Sequence, residues 1–212
     1  MNPGGSLKSL ISKIDAALGS IYEIDIKHNA TEYISDHTSI KQPGALLIRT
    51  PSYENADIEV AIAFSAKVQS TLRTLNLDGF FSWSHEQIQA FSVAAEEISH
   101  FRYFVFHAEK DRQVSQLELE FHGEIDKFLM FHLMLKDFES VYSKLFESFS
   151  LSDQLTPLEQ ERYHSANQLA REFIVKNRLQ FNSTESFADF LKNLRALYRM
   201  SPQEKFSLKH RL

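Results

Sequence analysis

The sequence predicts a mainly α (α+β) fold, an antiparallel helical bundle with one small N-terminal β-hairpin. Three observations support this: apolar residues recur at three- and four-residue spacing through most of the chain after residue 65; helix-start signatures precede several of these stretches; and only one pair of β-branched runs flanks a turn. We therefore expect a single domain over 1–212, with an N-terminal helix and hairpin in 1–65, a helical bundle in 66–200 and a basic C-terminal helix in 201–212.

The N-terminal region is predicted to contain a short helix and the hairpin. Apolar residues at helical spacing run from Leu7 to Leu18, and Gly19 follows as a helix stop. The runs 45–50 and 58–64 flank the turn-rich segment Pro-Ser-Tyr-Glu-Asn, which is typical of a hairpin. This assignment places Glu59 on a strand.

Six further helices are expected, near 66–76, 84–108, 113–149, 156–179, 185–199 and 202–210. Three of their starts are marked by Ser/Thr-x-x-Glu/Gln capping boxes, in which side chains satisfy free backbone N–H groups. The three boxes are Ser84 with Gln87, Thr156 with Glu159, and Ser201 with Glu204. The short polar segment Ala-Glu-Lys-Asp-Arg-Gln joins the second and third of these helices, so we expect them to form an antiparallel pair.

Composition and charge exclude several classes of function. The net charge of -5 argues against nucleic acid as a partner, and the absence of cysteine excludes thiolate metal sites and cysteine nucleophiles. No secretory signal or membrane-length apolar stretch is evident, so no membrane insertion is expected and we predict a cytoplasmic protein. The sequence also lacks a phosphate-binding glycine loop, a Gly-x-Ser-x-Gly elbow and a His-Glu-x-x-His zinc motif.

One cluster of residues has the chemistry of a metal site. On a helix over 84–108, Glu97 projects into the apolar stripe, His100 lies on its edge, and Glu96 falls on the polar face. On the following helix, Glu120 and Glu124 point inward. The same helical projection places three residues away from the core, namely Glu118, His122 and Asp126.

An antiparallel pair of helices should bring these inward-facing groups together. Residues near 97–100 are expected to lie level with 122–125, so Glu97, His100 and Glu124 would share a layer, with Glu120 one turn away. Carboxylates and imidazole are normal ligands of iron, manganese or zinc, and burying them without a partner is costly. Gly123 inside the second helix of this pair has two interpretations, a close backbone approach beside Glu120 and Glu124 or a glycine that the helix merely tolerates.

The Glu-x-x-His motifs at Glu97–His100 and Glu161–His164 resemble those of the ferritin-like di-iron carboxylate proteins. The resemblance implies a glutamate that bridges the two metal ions, and Glu120 or Glu124 would be that glutamate. It departs from that family in two ways, because Glu59 is expected on a strand and His164 on the outer side of its helix. We therefore expect no complete four-helix di-iron site.

Two hypotheses for function follow, and the sequence favours the first. In the first, the protein is a protein-interaction or regulatory module that presents its long 113–149 helix and basic C-terminal segment to a protein partner. The cations of that segment are Lys192, Arg195, Arg199, Lys205, Lys209 and Arg211. In the second, the chain is a metal-dependent enzyme whose metal ion is held by Glu97, His100, Glu120 and Glu124.

Ion pairs offer an alternative account of the buried carboxylates. The cations near the two helices are Lys127, Arg102, Lys110 and Arg112, and any of them could neutralise a carboxylate without a metal.

Overall fold

A computed structural model describes residues 6–36, 38–50, 57–148 and 155–207. The fold class is confirmed: helices pack on one another, and one two-stranded sheet accompanies them. The elements in chain order are α1 Leu7–Tyr22, β1 Gly44–Arg49, β2 Glu59–Phe64, α2 Ala66–Thr74, α3 His85–Ala108, α4 Gln116–Leu135, α5 Phe138–Tyr142, α6 Pro157–Lys176, α7 Thr184–Arg199 and α8 Pro202–Ser207. Within the described ranges, no helix is both long enough and apolar enough to cross a bilayer.

Helix α1 is longer than the sequence predicts. Ser6 caps its start by accepting a hydrogen bond from the Ser9 backbone, and the helix continues past Gly19 to Tyr22. The prediction of Gly19 as a stop was therefore wrong. An added Cβ at Gly19 would lie 2.9 Å from the Arg102 guanidinium, so the glycine permits close packing of α1 against α3 instead.

The hairpin forms where the sequence predicts it, with β1 antiparallel to β2 in a register that pairs Gly44 with Phe64. The predicted turn residues 51–55 lie outside the described ranges. Glu59 is on a strand, as expected, and pairs with Arg49 at 3.0 Å. An added Cβ at Gly44 would lie 2.9 Å from the Cγ of Glu97, so the hairpin packs directly on the candidate site.

Helices α3 and α4 form the predicted antiparallel pair, but α4 is much shorter than the predicted helix over 113–149. It ends at Leu135 because Lys136 adopts a left-handed conformation with a φ of 53°. Asp137 then caps the separate helix α5 by accepting a hydrogen bond from the Ser140 backbone. Residue 149 lies outside the described ranges.

The C-terminal helices follow their predicted capping signals. Thr156 and Glu159 form a capping box at the start of α6, and Ser201 and Glu204 exchange the same pair of hydrogen bonds at α8. Residues 208–210, the predicted end of the last helix, lie outside the described ranges.

Helix α4 lies at the centre of the molecule, since it packs against both α3 and α6. Its polar residues are buried on more than one side. Glu118, His122 and Asp126, predicted to lean away from the core, are at most 1% exposed. That prediction was wrong because α1, α7 and α8 cover the side of α4 that the helical projection assigned to solvent.

Candidate metal site

The candidate site lies between α3 and α4, where Glu96, His100 and Glu120 converge. One ligand atom from each of these side chains lies within 4.8 Å of the other two. Some point in space is therefore within about 2.8 Å of all three atoms, close to the usual 2.0–2.6 Å of metal–ligand bonds. Small side-chain rotations would bring a divalent cation into bonding distance of all three.

Two buried side-chain atoms in this cluster have no hydrogen bond in the described part of the chain. Nε2 of His100 and Oε2 of Glu120 lie 3.6 Å apart, and neither has a hydrogen-bond partner among the described residues. His100 is 6% exposed and Glu120 7% exposed. The two atoms face each other as a buried pair, so a cation bound between them would take the place of a proton on His100.

Glu97 lies on the other side of the imidazole. Its Oε2 is 3.5 Å from Nδ1 of His100, and its carboxylate also accepts a hydrogen bond from the backbone N–H of Leu46 in the hairpin. Metal-bound histidines usually donate their second ring N–H to a carboxylate, which fixes the ring orientation. The geometry therefore favours Glu97 as the group that orients His100, with Nε2 left for the metal.

Glu96 was assigned to the polar face of α3, and that assignment was wrong. The residue is only partly exposed and its side chain, 19% exposed, turns toward α4. Lys127 holds it there with a 2.9 Å ion pair. A helical projection could not show this, because it records only the position of the Cα atom around the helix axis.

Gly123 makes the approach of the two helices possible, which is one of the two interpretations that the sequence allows. An added Cβ at this position would lie 2.9 Å from Nε2 of His100 and 3.3 Å from Cγ of Glu96. A side chain at residue 123 would therefore occupy space beside the imidazole. The predicted level pairing of 97–100 with 122–125 is confirmed by this contact.

Glu124 is buried as predicted but is engaged by other groups. Its Oε1 accepts a hydrogen bond from Lys127 at 2.8 Å, and its Oε2 accepts one from Asn167 of α6 at 3.3 Å. This is the ion pairing that the alternative interpretation expects. Of the other cations considered there, Arg102 pairs with Asp15, Arg112 with Glu118, and Lys110 lies over the Phe106 ring.

Electrostatics at the site follow from the crowding of carboxylates in a buried place. Burial lowers the pKa of His100, but Glu97, Glu120 and Glu96 more than offset this and raise it to about 9. Burial and the neighbouring carboxylates raise the pKa of Glu120 to about 7 despite His100 and Arg162. The site thus retains protons that a cation could replace.

The remaining carboxylates show the same competition between burial and nearby charge. Burial raises the pKa of Glu97 and of Glu124 above the ordinary glutamate value. Burial acts in the same direction on Glu96, but Lys127 and His100 outweigh it and lower its pKa.

The second Glu-x-x-His motif does not reach the site. His164 is exposed on α6, as the sequence predicts, and Glu161 is exposed as well, whereas Arg162 between them turns inward. Nε of Arg162 lies 3.5 Å from Oε1 of Glu120. Helix α6 therefore contributes a cation and an amide to the site and no metal-ligating side chain.

A second buried polar network was missed by the sequence analysis. Lys205 of α8 donates hydrogen bonds to Tyr103 at 2.5 Å and to His122 at 2.8 Å, and its Nζ lies 3.6 Å from Glu118. One turn further along α4, Asp126 accepts hydrogen bonds from other buried side chains. The four-residue spacing of Glu118, His122 and Asp126 was the available signal, since it places them on one side of a helix.

Comparisons with protein-family models, with curated proteins and with solved structures found no match.

Proposed function

We propose that the protein binds a divalent first-row metal ion through Glu96, His100 and Glu120 and that it is a metal-dependent helical enzyme. The observation that carries the proposal is the convergence of Glu96, His100 and Glu120, which each place one ligand atom within 4.8 Å of the other two in a largely buried position. In the proposed site, Glu97 orients His100, and Lys127 holds the Glu124 carboxylate.

Charge balance supports one divalent ion. Four carboxylates surround the site, and two permanent cations, Lys127 and Arg162, pair with them. Two negative charges would remain uncompensated if all four carboxylates were ionised and His100 were neutral, and the raised pKa values of His100 and Glu120 indicate that the metal-free site holds protons there instead. One divalent cation could replace those protons and neutralise the same charge.

Ligand chemistry narrows the choice of metal and of reaction class. Two carboxylate oxygens and one imidazole suit iron, manganese or zinc. Three protein ligands leave coordination positions open, and a bound cation there would activate a water or a substrate oxygen as a Lewis acid. Glu96 lies at the edge of the cluster, where its side chain is 19% exposed.

The protein-interaction hypothesis has less support. Its long helix is broken at Lys136, and Lys205 of its basic segment is buried. Exposed phenylalanines would favour it, and among the phenylalanines with described burial only Phe81, at 84%, is exposed. A protein partner stays a prediction.

Metal content of the purified protein tests the proposal. The wild type, His100→Ala and His164→Ala are prepared without a metal-binding tag, dialysed against Mn²⁺, Fe²⁺ or Zn²⁺ and measured by plasma mass spectrometry. Both substitutions remove the histidine of a Glu-x-x-His motif, so His164→Ala is the matched control. We expect about one ion per chain in the wild type and in His164→Ala, and at least about 10-fold weaker binding in His100→Ala. No binding by the wild type would refute the proposal.

A further inference from the structure

Lys127 occupies a place beside the candidate metal site that has the chemistry of a second cation site. Its ammonium group lies 2.9 Å from Oε2 of Glu96 and 2.8 Å from Oε1 of Glu124. The side chain is 12% exposed, and the two carboxylates are 19% and 6% exposed. A cation is thus already held between two carboxylates from two helices.

Glu96 belongs to both cation positions. It supplies one of the three converging ligand atoms of the candidate metal site, and it also pairs with Lys127. Di-metal centres are built in this way, with two ions about 3.5–4 Å apart that share carboxylate ligands. The arrangement therefore has the form of a two-cation centre in which one cation is a lysine.

The residues around Lys127 could hold a metal in its absence. Glu124 would offer a carboxylate, and Glu96 would bridge. Asn167 donates a hydrogen bond to Oε2 of Glu124, which leaves the other oxygen of this carboxylate, Oε1, facing the Lys127 position. These oxygen donors suit Mn²⁺ well.

We infer that Lys127 takes the place of a second metal ion and keeps the centre mononuclear, so that removing its charge opens a second metal site between Glu96 and Glu124. The inference rests on the proposed function, because it needs a metal at Glu96, His100 and Glu120. With Lys127 in place, one divalent ion neutralises the carboxylates, and a second ion would leave an excess of positive charge in a buried region.

The experiment measures how many Mn²⁺ ions each chain binds, by equilibrium dialysis, together with the electron paramagnetic resonance spectrum of the bound manganese. The variants are Lys127→Ala and Lys127→Gln, the second of which keeps a long side chain for packing. Lys67→Ala is the control, because Lys67 forms an ion pair with Glu86 at 3.1 Å on an exposed part of α2. Circular dichroism confirms that each variant is folded.

We expect about one Mn²⁺ per chain in the wild type and in Lys67→Ala, and about two in Lys127→Ala and Lys127→Gln. The spectrum should change from that of isolated Mn²⁺ to that of an exchange-coupled pair, which a purely structural role of Lys127 would not produce. Adding Glu124→Gln to Lys127→Ala should return the count to about one.

Two outcomes would overturn the inference, and they are distinguishable. If the wild type binds about one ion and both Lys127 variants also bind only about one, Lys127 does not hold a second metal position, while the proposed function stands. If the wild type binds no Mn²⁺, Fe²⁺ or Zn²⁺, the proposed function fails and the inference fails with it.

Discussion

His100 is the side chain on which the site depends most, because each of its ring nitrogens faces a different carboxylate. Nδ1 lies 3.5 Å from Glu97 and Nε2 lies 3.6 Å from Glu120. The imidazole is buried, so these two neighbours decide its protonation and orientation. A metal at Nε2 would replace a proton there and leave the Nδ1 proton for Glu97.

Glu97→Gln tests whether Glu97 orients His100 or binds the metal itself. An orienting carboxylate usually changes metal affinity by about 10–100-fold when removed, whereas a lost ligand costs more. We expect Glu97→Gln to weaken Mn²⁺ binding within that range and Glu120→Gln to weaken it further. Titration calorimetry measures both. Equal losses in the two variants would instead make Glu97 a direct ligand, as the sequence analysis supposed.

The sequence located four buried members of the cluster but placed Glu96 on the wrong side of its helix. Helical spacing correctly placed Glu97, His100, Glu120 and Glu124 in buried positions. It missed Glu96, because the partner that turns this side chain inward, Lys127, lies 31 residues away on another helix. Long side chains choose their direction by partners that a single-helix projection does not contain.

The close packing of α3 against α4 at Gly123 determines what a side chain at this position would do. Gly123→Ala should gain about 1 kcal/mol of helix propensity, but the new Cβ would press on His100 Nε2. We therefore expect a change in unfolding free energy of less than about 1 kcal/mol together with at least about 10-fold weaker metal binding.

Gly79→Ala is the matched control for this substitution, since an added Cβ there meets nothing closer than 3.6 Å. Urea denaturation and Mn²⁺ titration of both variants provide the measurements. Unchanged metal affinity in Gly123→Ala would show that the imidazole position does not matter for binding.

The left-handed backbone of Lys136, at the end of α4, affects the stability of the protein. Lys136 has a φ of 53°, which glycine adopts without the strain that a Cβ causes. Lys136→Gly should therefore raise the unfolding free energy by about 0.5–1 kcal/mol, and Lys136→Ala should not. Had the helix run on through residue 136, glycine would instead lower the stability by about 1 kcal/mol. Denaturant titration of Lys136→Gly shows whether the unfolding free energy rises or falls.

Sequence signals located three helix starts but not the end of α4. Capping boxes at Ser84, Thr156 and Ser201 gave three N-termini correctly, because the cap is a local interaction between neighbouring residues. The end of α4 has no glycine or proline, and apolar periodicity continues across it. The break at Lys136 depends on how α5 packs back on α4, which is a tertiary effect.

Asp126 of α4 connects its own helix with α1 and α3. It accepts hydrogen bonds from Tyr22 of α1 and Ser99 of α3, each at 2.5 Å, and it is 1% exposed. Burial raises its pKa to about 7, against the opposing effect of these hydrogen bonds. The folded protein therefore holds a proton on Asp126 in a pH range where the unfolded chain has lost it.

Because the pKa of Asp126 is raised in the folded protein, its contribution to stability falls as the pH rises. Between about pH 4 and pH 7 the native state binds more protons at Asp126 than the unfolded state, so its contribution to stability falls as the pH rises through that range. Asp126→Asn cannot titrate. We expect the wild type to lose at least about 1 kcal/mol relative to Asp126→Asn between pH 4.5 and pH 7.5. Thermal unfolding with a chelator present measures the difference, and a pH-independent difference would contradict the account.

The whole-molecule arrangement was predictable in class but not in the details that build the site. Periodicity and capping predicted a helical bundle with a hairpin, and the structure has that form. The approach of Arg162 and Asn167 from α6 was not predictable, because it depends on the angle and register at which α6 packs on α4. Arg162 places a positive charge beside Glu120, and Asn167 donates a hydrogen bond to Glu124.

The most direct test of the account is anomalous X-ray diffraction from crystals of the wild-type protein soaked in Mn²⁺. We predict an anomalous peak bonded to Glu96, His100 and Glu120, at about 2.0–2.6 Å from one atom of each. A peak confined to exposed surface carboxylates, or no peak between α3 and α4, would contradict the account.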